Sequence, residues 1–151
     1  MNLFDIPEIS IPIANSDKSF PVRRIYCIGR NYKKHAEEMG HDSSRSEPFY
    51  FCKPSDAIVP SKTLIDYPPR TEDLHHEIEL VVAIDSDGKD IIIERARDHI
   101  FGYAVGIDLT RRDLQSEAKK KGRPWDMAKG FDQSAPISKI HQVNEIGHPE
   151  D

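Results

Sequence analysis

The stretch LHHEIELVVA, residues 74–83, predicts a β-strand that carries two glutamates among apolar residues. Side chains alternate between the two faces of a strand, so Glu77 and Glu79 share one face. Ile78 and Leu80 share the other. Because charged residues are depleted in strands of this apolar character, the acidic face is a candidate functional surface.

A second stretch, FGYAVGIDLT at 101–110, predicts a strand of the same kind. Its odd-numbered positions from 103 to 109 form an apolar face, whereas Ala104, Gly106 and Asp108 lie on the opposite face. The small residues are expected to leave room for a ligand to approach Asp108. The two strands therefore resemble each other in having one apolar and one acidic face.

Glu77, Glu79 and Asp108 could converge if the two strands lie together. Three buried carboxylates need a compensating charge, which a metal ion or basic side chains can supply. Ligands that are all oxygen favour Mg²⁺, Mn²⁺ or Ca²⁺. The alternative is a solvated sheet face with lysine or arginine partners, and the pattern leaves both interpretations open.

The other predicted elements are short. They are strands at 22–29 and 49–54, a helix at 30–40, a hairpin-type turn at 85–90 and one or two helical turns at 94–100. A further helix is expected to begin with a capping box of Thr110 and Asp113 and to end at Gly122 and Pro124. Residues 1–21 predict a lead-in of loop and edge strand, and residues 22–151 predict one domain. Many short strands with few helices indicate a β-rich α+β fold.

The composition excludes several classes of protein. The chain has 151 residues with 37% apolar and 31% charged residues, and it contains no apolar run long enough to cross a membrane. A net charge of -5 argues against a general nucleic-acid binder. Cys27 and Cys52 are isolated, so we expect free, buried thiols rather than a disulfide. With no secretory leader in its first residues, the chain is expected to be cytoplasmic.

His35 and Glu38 are spaced i, i+3 on the predicted helix, within hydrogen-bond reach of each other. A carboxylate that orients an imidazole is a common general base, although an exposed pair on a polar helix fits the spacing as well. Lys53 and Lys129 are candidates to bind an anionic substrate, and the alternative for both is a solvated side chain. His75 and His76 are expected to be structural, or to support other side chains of the site.

Four segments together resemble the fumarylacetoacetate hydrolase family, especially its short acylpyruvate and fumarylpyruvate hydrolase branch. They follow one another in family order between residues 22 and 138: IGRNYKKHAEEMG, FYFCKPS, LHHEIELVVAI and GYAVGIDLTRRDLQSEAKKKGRPWDMAKGFDQSAPIS. The resemblance implies a mixed β-roll or sandwich with short helices, and a homodimer. It also implies a site with these residues: metal ligands Glu77, Glu79 and Asp108 for Mg²⁺, Mn²⁺ or Ca²⁺; catalytic His35, Glu38 and Lys129; and substrate-binding Arg112, Gln115 and Lys53.

The resemblance further implies cleavage of the C–C bond of a small-molecule 2,4-dioxo acid, with fumarylpyruvate giving fumarate and pyruvate. Oxaloacetate decarboxylation and the isomerisation or hydration of dienoic oxo acids could use the same site. A non-catalytic binding subunit is the alternative of another class. Family members continue into a V-N-G segment and a T-G-T-P turn that these 151 residues lack. We therefore expect a C-terminally incomplete roll with exposed strand edges and weak activity.

Overall fold

The computed structural model describes residues 3–29 and 48–150. Its strands are β1 (Ser10–Pro12), β2 (Ser19–Pro21), β3 (Ile25–Gly29), β4 (Phe49–Lys53), β5 (Ile58–Pro60), β6 (Leu74–Ile84), β7 (Ile100–Arg111), β8 (Ala135–Ile137) and β9 (His141–Gln142). Its α-helices are α1 (Arg112–Lys120), α2 (Asp126–Lys129) and α3 (Val143–Ile146), and 3₁₀-helices span Ser55–Ala57 and Ile93–His99. This strand-rich α+β architecture confirms the predicted fold class. None of the helices in these two ranges is long and apolar enough to span a membrane.

A long antiparallel ribbon of β6 and β7 dominates the fold. Its register places Glu77 directly opposite Asp108, and Glu79 opposite Gly106. Both strands were predicted, and the one or two helical turns predicted at 94–100 are present in their connection as the 3₁₀-helix Ile93–His99. The ribbon thus brings two of the three predicted acids face to face.

The ribbon forms one side of a larger sheet with the strand order β5-β8-β7-β6, in which β9 also pairs with β7. Strands β5 and β8 are parallel, whereas β7 is antiparallel to its neighbours. The β1–β2 hairpin covers one end of the inner face, where the rings of Phe20 and Phe101 lie 5.3 Å apart. The buried core consists of Ile11, Ala83, Ala104, Ile137 and Ile140.

The acidic face of the ribbon is the inner one, and the apolar face points outward. Ile78 is 68% exposed, and Leu80, Val82, Ile84 and Val105 are also largely exposed. The room expected beside Asp108 is filled by protein, since a Cβ at Gly106 would lie 2.6 Å from Val81 Cγ2. Gly106 therefore permits close packing of the two strands and does not open a ligand channel.

Helix α1 begins at Arg112, and the prediction of a capping box is wrong. The residue before the helix, Arg111, caps it with no side-chain hydrogen bond. Thr110 remains in β7, and the Asp113 carboxylate instead accepts hydrogen bonds from Thr71 Oγ1 at 2.7 Å and from the Glu72 amide at 3.0 Å. The capping-box pattern is misleading here because the side chains of Thr110 and Asp113 both bind residues outside the helix.

Strands β3 and β4 form a separate hairpin that covers the acidic face. Cys27 pairs with Phe51 across this hairpin. Phe49 and Phe51 pack on Trp125, with ring centroids 5.1 and 5.8 Å away. Both cysteines are free, as predicted, but Cys52 is exposed because it lies on the outer face of its strand. The predicted helix at 30–40, with His35 and Glu38, lies outside the described residues.

Candidate active site

A charged cluster lies between the ribbon and the β3–β4 hairpin. Glu77 of β6 and Asp108 of β7 supply its acids. Lys53 enters from the end of β4, Lys129 from the end of α2, and Arg112 from the start of α1. Residues from five elements, β4, β6, β7, α1 and α2, are therefore held together by ion pairs at this point.

The Lys129 ammonium group lies at the centre of the cluster, with its side chain 2% exposed. It donates hydrogen bonds to Asp108 Oδ2 at 2.6 Å, Glu77 Oε2 at 2.7 Å and Thr110 Oγ1 at 2.6 Å. An ammonium group has three protons to donate, so these bonds use all of them. Lys129 is therefore an internal cation that joins β6 to β7.

Lys53 is also buried, but its partners are mainly backbone groups. Its Nζ donates to the carbonyl oxygens of Leu109, at 3.1 Å, and of Lys129. It also lies 2.9 Å from Asp108 Oδ1, an ion-pair distance. Burial lowers the pKa of Lys53, and the neighbouring Asp108 opposes that shift. The ammonium group thus anchors the end of α2 and balances the charge of Asp108.

Arg112 approaches the cluster from the solvent side. Its Nη2 donates to Glu77 Oε1, and its Nη1 donates to Gln115 Oε1 at 2.6 Å. Its Nε donates to His75 Nδ1 at 3.3 Å, so His75 supports Arg112 without touching the acids. Gln115 is buried beside it, 3% exposed. The guanidinium group is held on three sides in a defined orientation.

Glu77 remains ionised to an unusually low pH. Burial alone would raise its pKa, but hydrogen bonds and charges from Lys129 and then Arg112 outweigh burial and lower the pKa to about 2. The carboxyl group is one-quarter exposed, at 24%. The cluster therefore keeps a permanent negative charge on Glu77 across the physiological range.

The low pKa of Glu77 predicts that the metal-free chain loses stability at acid pH. Its folded pKa of about 2 lies below the ordinary value of 4.5, so ionised Glu77 stabilises the folded state above pH 4.5. This contribution is lost as the pH falls toward 2, by roughly 2 kcal/mol between pH 7 and pH 3. Urea unfolding in EDTA across this range measures it. In Glu77→Gln the free energy of unfolding is expected to fall less between pH 7 and pH 3, whereas the exposed control Glu94→Gln should show the same fall as the unsubstituted chain. An equal fall in both variants would contradict the low pKa of Glu77.

The donor set of the cluster fits a hard divalent cation in part. Glu77 and Asp108 face each other, and Asp108 Oδ1 is a buried oxygen with no hydrogen bond among the described residues, although Lys53 Nζ lies 2.9 Å away. Glu79 lies on the same face of β6. However, no group of three or more histidine, cysteine, aspartate or glutamate side chains is gathered for a metal within residues 3–29 and 48–150. The two facing carboxylates, including Asp108 Oδ1, are the donors that such an ion would use.

The structure brings together most of the residues that the sequence singled out. Glu77, Asp108, Lys53, Lys129 and Arg112 share the cluster, and Gln115 adjoins it through Arg112. Glu79 lies two residues further along β6, on the same face as Glu77, and it remains a predicted ligand. The positions of His35 and Glu38 stay predictions.

Two neighbours of the site were not predicted from the sequence to belong to it. Thr110 is completely buried and binds Lys129, and its position two residues after Asp108 on the same strand face could have identified it. The Cys27 thiol lies close enough for the cluster to affect it. Burial, then the charge of Asp108, raise the pKa of Cys27 to about 12. The thiol is therefore protonated and unreactive beside the acids.

Comparison with known proteins identifies the family. A model described as the C-terminal domain of fumarylacetoacetate (FAA) hydrolase matches residues 24–151, which include every described residue of the charged cluster. The chain belongs to the fumarylacetoacetate hydrolase family. This confirms the resemblance of the four sequence segments to that family.

Within the fumarylacetoacetate hydrolase family, the chain is similar to a fumarylpyruvate hydrolase of Pseudomonas aeruginosa, whose crystal structure contains Mn²⁺ and pyruvate. The two share 51% identity with a TM-score of 0.95, over 99% of this chain and 66% of that chain. The chain is 41% identical to a mitochondrial oxaloacetate decarboxylase of Dictyostelium discoideum, over 82% of this chain and 60% of the relative. It is also 41% identical to a mitochondrial oxaloacetate tautomerase of Bos taurus, over 84% and 57% respectively. The chain thus spans about three-fifths of the length of these curated relatives.

Proposed function

We propose that the chain carries the catalytic site of a divalent-metal-dependent hydrolase that cleaves acylpyruvates, with fumarylpyruvate the favoured substrate. The observation that carries this proposal is the pair of facing carboxylates, Glu77 and Asp108, surrounded by three cations. The similarity to a fumarylpyruvate hydrolase that binds Mn²⁺ and pyruvate supports it. The products would be fumarate and pyruvate.

Glu77 and Asp108 would hold the metal, with Glu79 as the third ligand from the same face of β6. Their hard oxygen atoms suit Mg²⁺ or Mn²⁺, which are the ions we propose. A divalent cation at this site supplies Lewis-acid stabilisation of the negative charge that develops on the pyruvate oxygens. A carboxylate ligand set with Arg112 and Lys129 at its edge is suited to an anionic oxo acid.

The chain's own residues would then carry the proton transfers. His35, oriented by Glu38, would remove a proton from water as its oxygen attacks the C4 carbonyl. Cleavage of the C3–C4 bond releases the acid and leaves an electron pair on the pyruvate fragment, which takes up a proton at C3. Lys129 would donate a hydrogen bond to the oxygen that becomes negative during the attack.

Arg112 and Gln115 would bind the carboxylate of the substrate. Their fixed orientation, through the hydrogen bond from Arg112 Nη1 to Gln115 Oε1, suits a planar carboxylate. Lys53 has its ammonium group occupied by two carbonyl oxygens and Asp108. Its contribution to substrate binding would therefore come through the position of Lys129 and Asp108.

Oxaloacetate chemistry is the second candidate function. It is favoured by the similarity to an oxaloacetate decarboxylase and to oxaloacetate tautomerases. Decarboxylation passes through the enolate of pyruvate, and tautomerisation passes through the enolate of oxaloacetate. The same cations would stabilise either enolate. Neither reaction needs an attacking water, so His35 would be less important to them than to hydrolysis.

A substrate panel separates the two candidates. Pyruvate release is measured from fumarylpyruvate, acetylpyruvate and oxaloacetate with Mn²⁺ or with EDTA, and the P. aeruginosa enzyme serves as the positive control. We expect fumarylpyruvate to react fastest and EDTA to stop the reaction. Faster consumption of oxaloacetate would favour the second candidate, and activity unchanged by EDTA would overturn the metal assignment.

A further inference from the structure

Arg112 is tied at both of its ends to the beginning of β6 and the residue before it. Its backbone amide donates to the carbonyl oxygen of Asp73 at 2.8 Å, which fixes the first residue of α1. Its guanidinium Nε donates to His75 Nδ1 at 3.3 Å, and His75 Nε2 lies 2.9 Å from Asp73 Oδ1. Asp73 therefore binds Arg112 directly through its backbone and indirectly through the imidazole ring of His75.

These contacts determine which nitrogen of His75 carries the proton. A guanidinium nitrogen can only donate, so Nδ1 of His75 has to accept with its lone pair. In a neutral imidazole the proton is then on Nε2, which donates it to the Asp73 carboxylate. The carboxylate thus favours the tautomer that can accept a hydrogen bond from Arg112.

Arg112 keeps donors for a ligand after its hydrogen bonds to protein are made. Nε donates to His75, Nη1 to Gln115 and Nη2 to Glu77, which uses three of the five guanidinium protons. In the contacts formed within residues 3–29 and 48–150, one proton on each terminal nitrogen is left. Two such protons suit the two oxygens of a carboxylate. The arginine side chain is 21% exposed, so a ligand can reach it.

We propose that Asp73 and His75 are positioning residues, which hold the Arg112 guanidinium group in the orientation that binds the substrate carboxylate. The inference rests on the proposed function, in which Arg112 binds that carboxylate. Without the bond from Nε to His75, the arginine side chain regains rotational freedom. That freedom has to be lost again when the substrate binds, and this lowers the affinity.

The side chains of Asp73 and His75 can be changed with little effect on folding. They are 53% and 48% exposed, and ion pairs between exposed side chains contribute little to stability. The bond from the Arg112 amide to the Asp73 carbonyl oxygen involves only backbone atoms, so it is retained in side-chain variants. A loss of substrate affinity at unchanged stability therefore distinguishes a positioning role from a structural one.

Steady-state kinetics with fumarylpyruvate and Mn²⁺ test the inference. His75→Phe keeps a ring but removes both nitrogens, and we expect it to raise KM about 5-fold while kcat changes less than about 2-fold. His75→Asn supplies an oxygen near the position of Nδ1 and should recover most of the loss. The matched control is His76→Phe, because His76 is exposed on the opposite face of β6. An unchanged KM in His75→Phe, no recovery in His75→Asn, or an equal rise in His76→Phe would each overturn the inference.

Asp73→Ala tests the more distant member of the pair. It removes the acceptor of the Nε2 proton but leaves His75 in place, so KM should rise by more than about 2-fold and by less than in His75→Phe. An unchanged KM in Asp73→Ala would overturn the role of Asp73.

Arg112→Gln separates failure of this inference from failure of the proposed function. It should raise KM at least about 10-fold, because a charged donor is lost. If KM rises in Arg112→Gln but not in His75→Phe, the positioning role alone is wrong. If Arg112→Gln leaves KM unchanged, Arg112 does not bind the substrate, and the proposed role of Arg112 fails together with the inference.

Nuclear magnetic resonance of the nitrogen-15-labelled chain gives a measurement that does not depend on turnover. At pH 8, the chemical shifts of His75 should be those of an unprotonated Nδ1 and a protonated Nε2. The Arg112 Nε proton should exchange with water more slowly in the unsubstituted chain than in His75→Phe, because a hydrogen bond protects it. A protonated Nδ1, or equal exchange in the two proteins, would contradict the contact on which the proposal depends.

Discussion

Replacing Asp108 by asparagine is expected to lower the free energy of unfolding of the metal-free chain by about 3–5 kcal/mol. The carboxylate is 7% exposed and contacts the ammonium groups of Lys53 and Lys129, whose side chains are each 2% exposed. Without it, Lys53 retains only neutral carbonyl partners, and a buried charge without a counter-charge is costly. Chemical denaturation in EDTA at pH 7 measures the change.

The surface pair Arg95–Asp98 is the control for Asp108→Asn. Both of its side chains are mostly exposed, and surface ion pairs contribute little, so Asp98→Asn should cost at most about 0.5 kcal/mol. Adding Lys53→Met to Asp108→Asn should restore part of the lost stability, since it removes the unpaired ammonium group. A loss under about 1 kcal/mol in Asp108→Asn would show that the cluster does not hold the sheet as described.

Glu77→Gln is expected to reduce Mn²⁺-dependent release of pyruvate from fumarylpyruvate at least about 100-fold. The substitution keeps the shape of the side chain but removes the negative charge proposed to bind the metal. It also leaves Arg112 and Lys129 facing a neutral amide in place of a carboxylate. Initial rates at several Mn²⁺ concentrations provide the measurement, at a temperature where circular dichroism shows the variant to be folded.

Glu72→Gln controls for the loss of a carboxylate near β6. Glu72 is exposed and lies just before the strand, so this variant should retain activity close to that of the unsubstituted chain. If folded Glu77→Gln kept half of the activity at the same Mn²⁺ concentration, Glu77 would not be a metal ligand.

The alternation of residues in 74–84 and 101–110 was enough to predict the two central strands and their faces. It placed Glu77 and Glu79 together, and it placed Asp108 among small residues on one side of β7. This works because the side-chain period of two is a local property of any strand. That Glu77 lies directly opposite Asp108 depends on the register between strands, which the sequence of either strand does not contain.

The burial of the acidic face could not be predicted from the strands themselves. Hydrophobicity alone would turn Ile78 and Leu80 inward, yet both are exposed. Glu77 and Asp108 can face inward because Lys53 and Lys129 neutralise them, and these lysines lie 55 and 21 residues from Asp108 along the chain. A lysine in a loop or at a helix end carries no local sign of burial, so both could be interpreted as solvated side chains until the tertiary contacts were known.

The register that opposes Glu77 to Asp108 has a consequence for the order of folding. Like charges directly opposite each other destabilise an antiparallel pair, so Glu77 and Asp108 repel each other when the β6–β7 ribbon forms alone. The repulsion ends only when Lys129 arrives at the end of α2 and Lys53 at the end of β4. We expect formation of the ribbon to be coupled to docking of the β3–β4 hairpin and of α2, so that the charged cluster makes folding more cooperative.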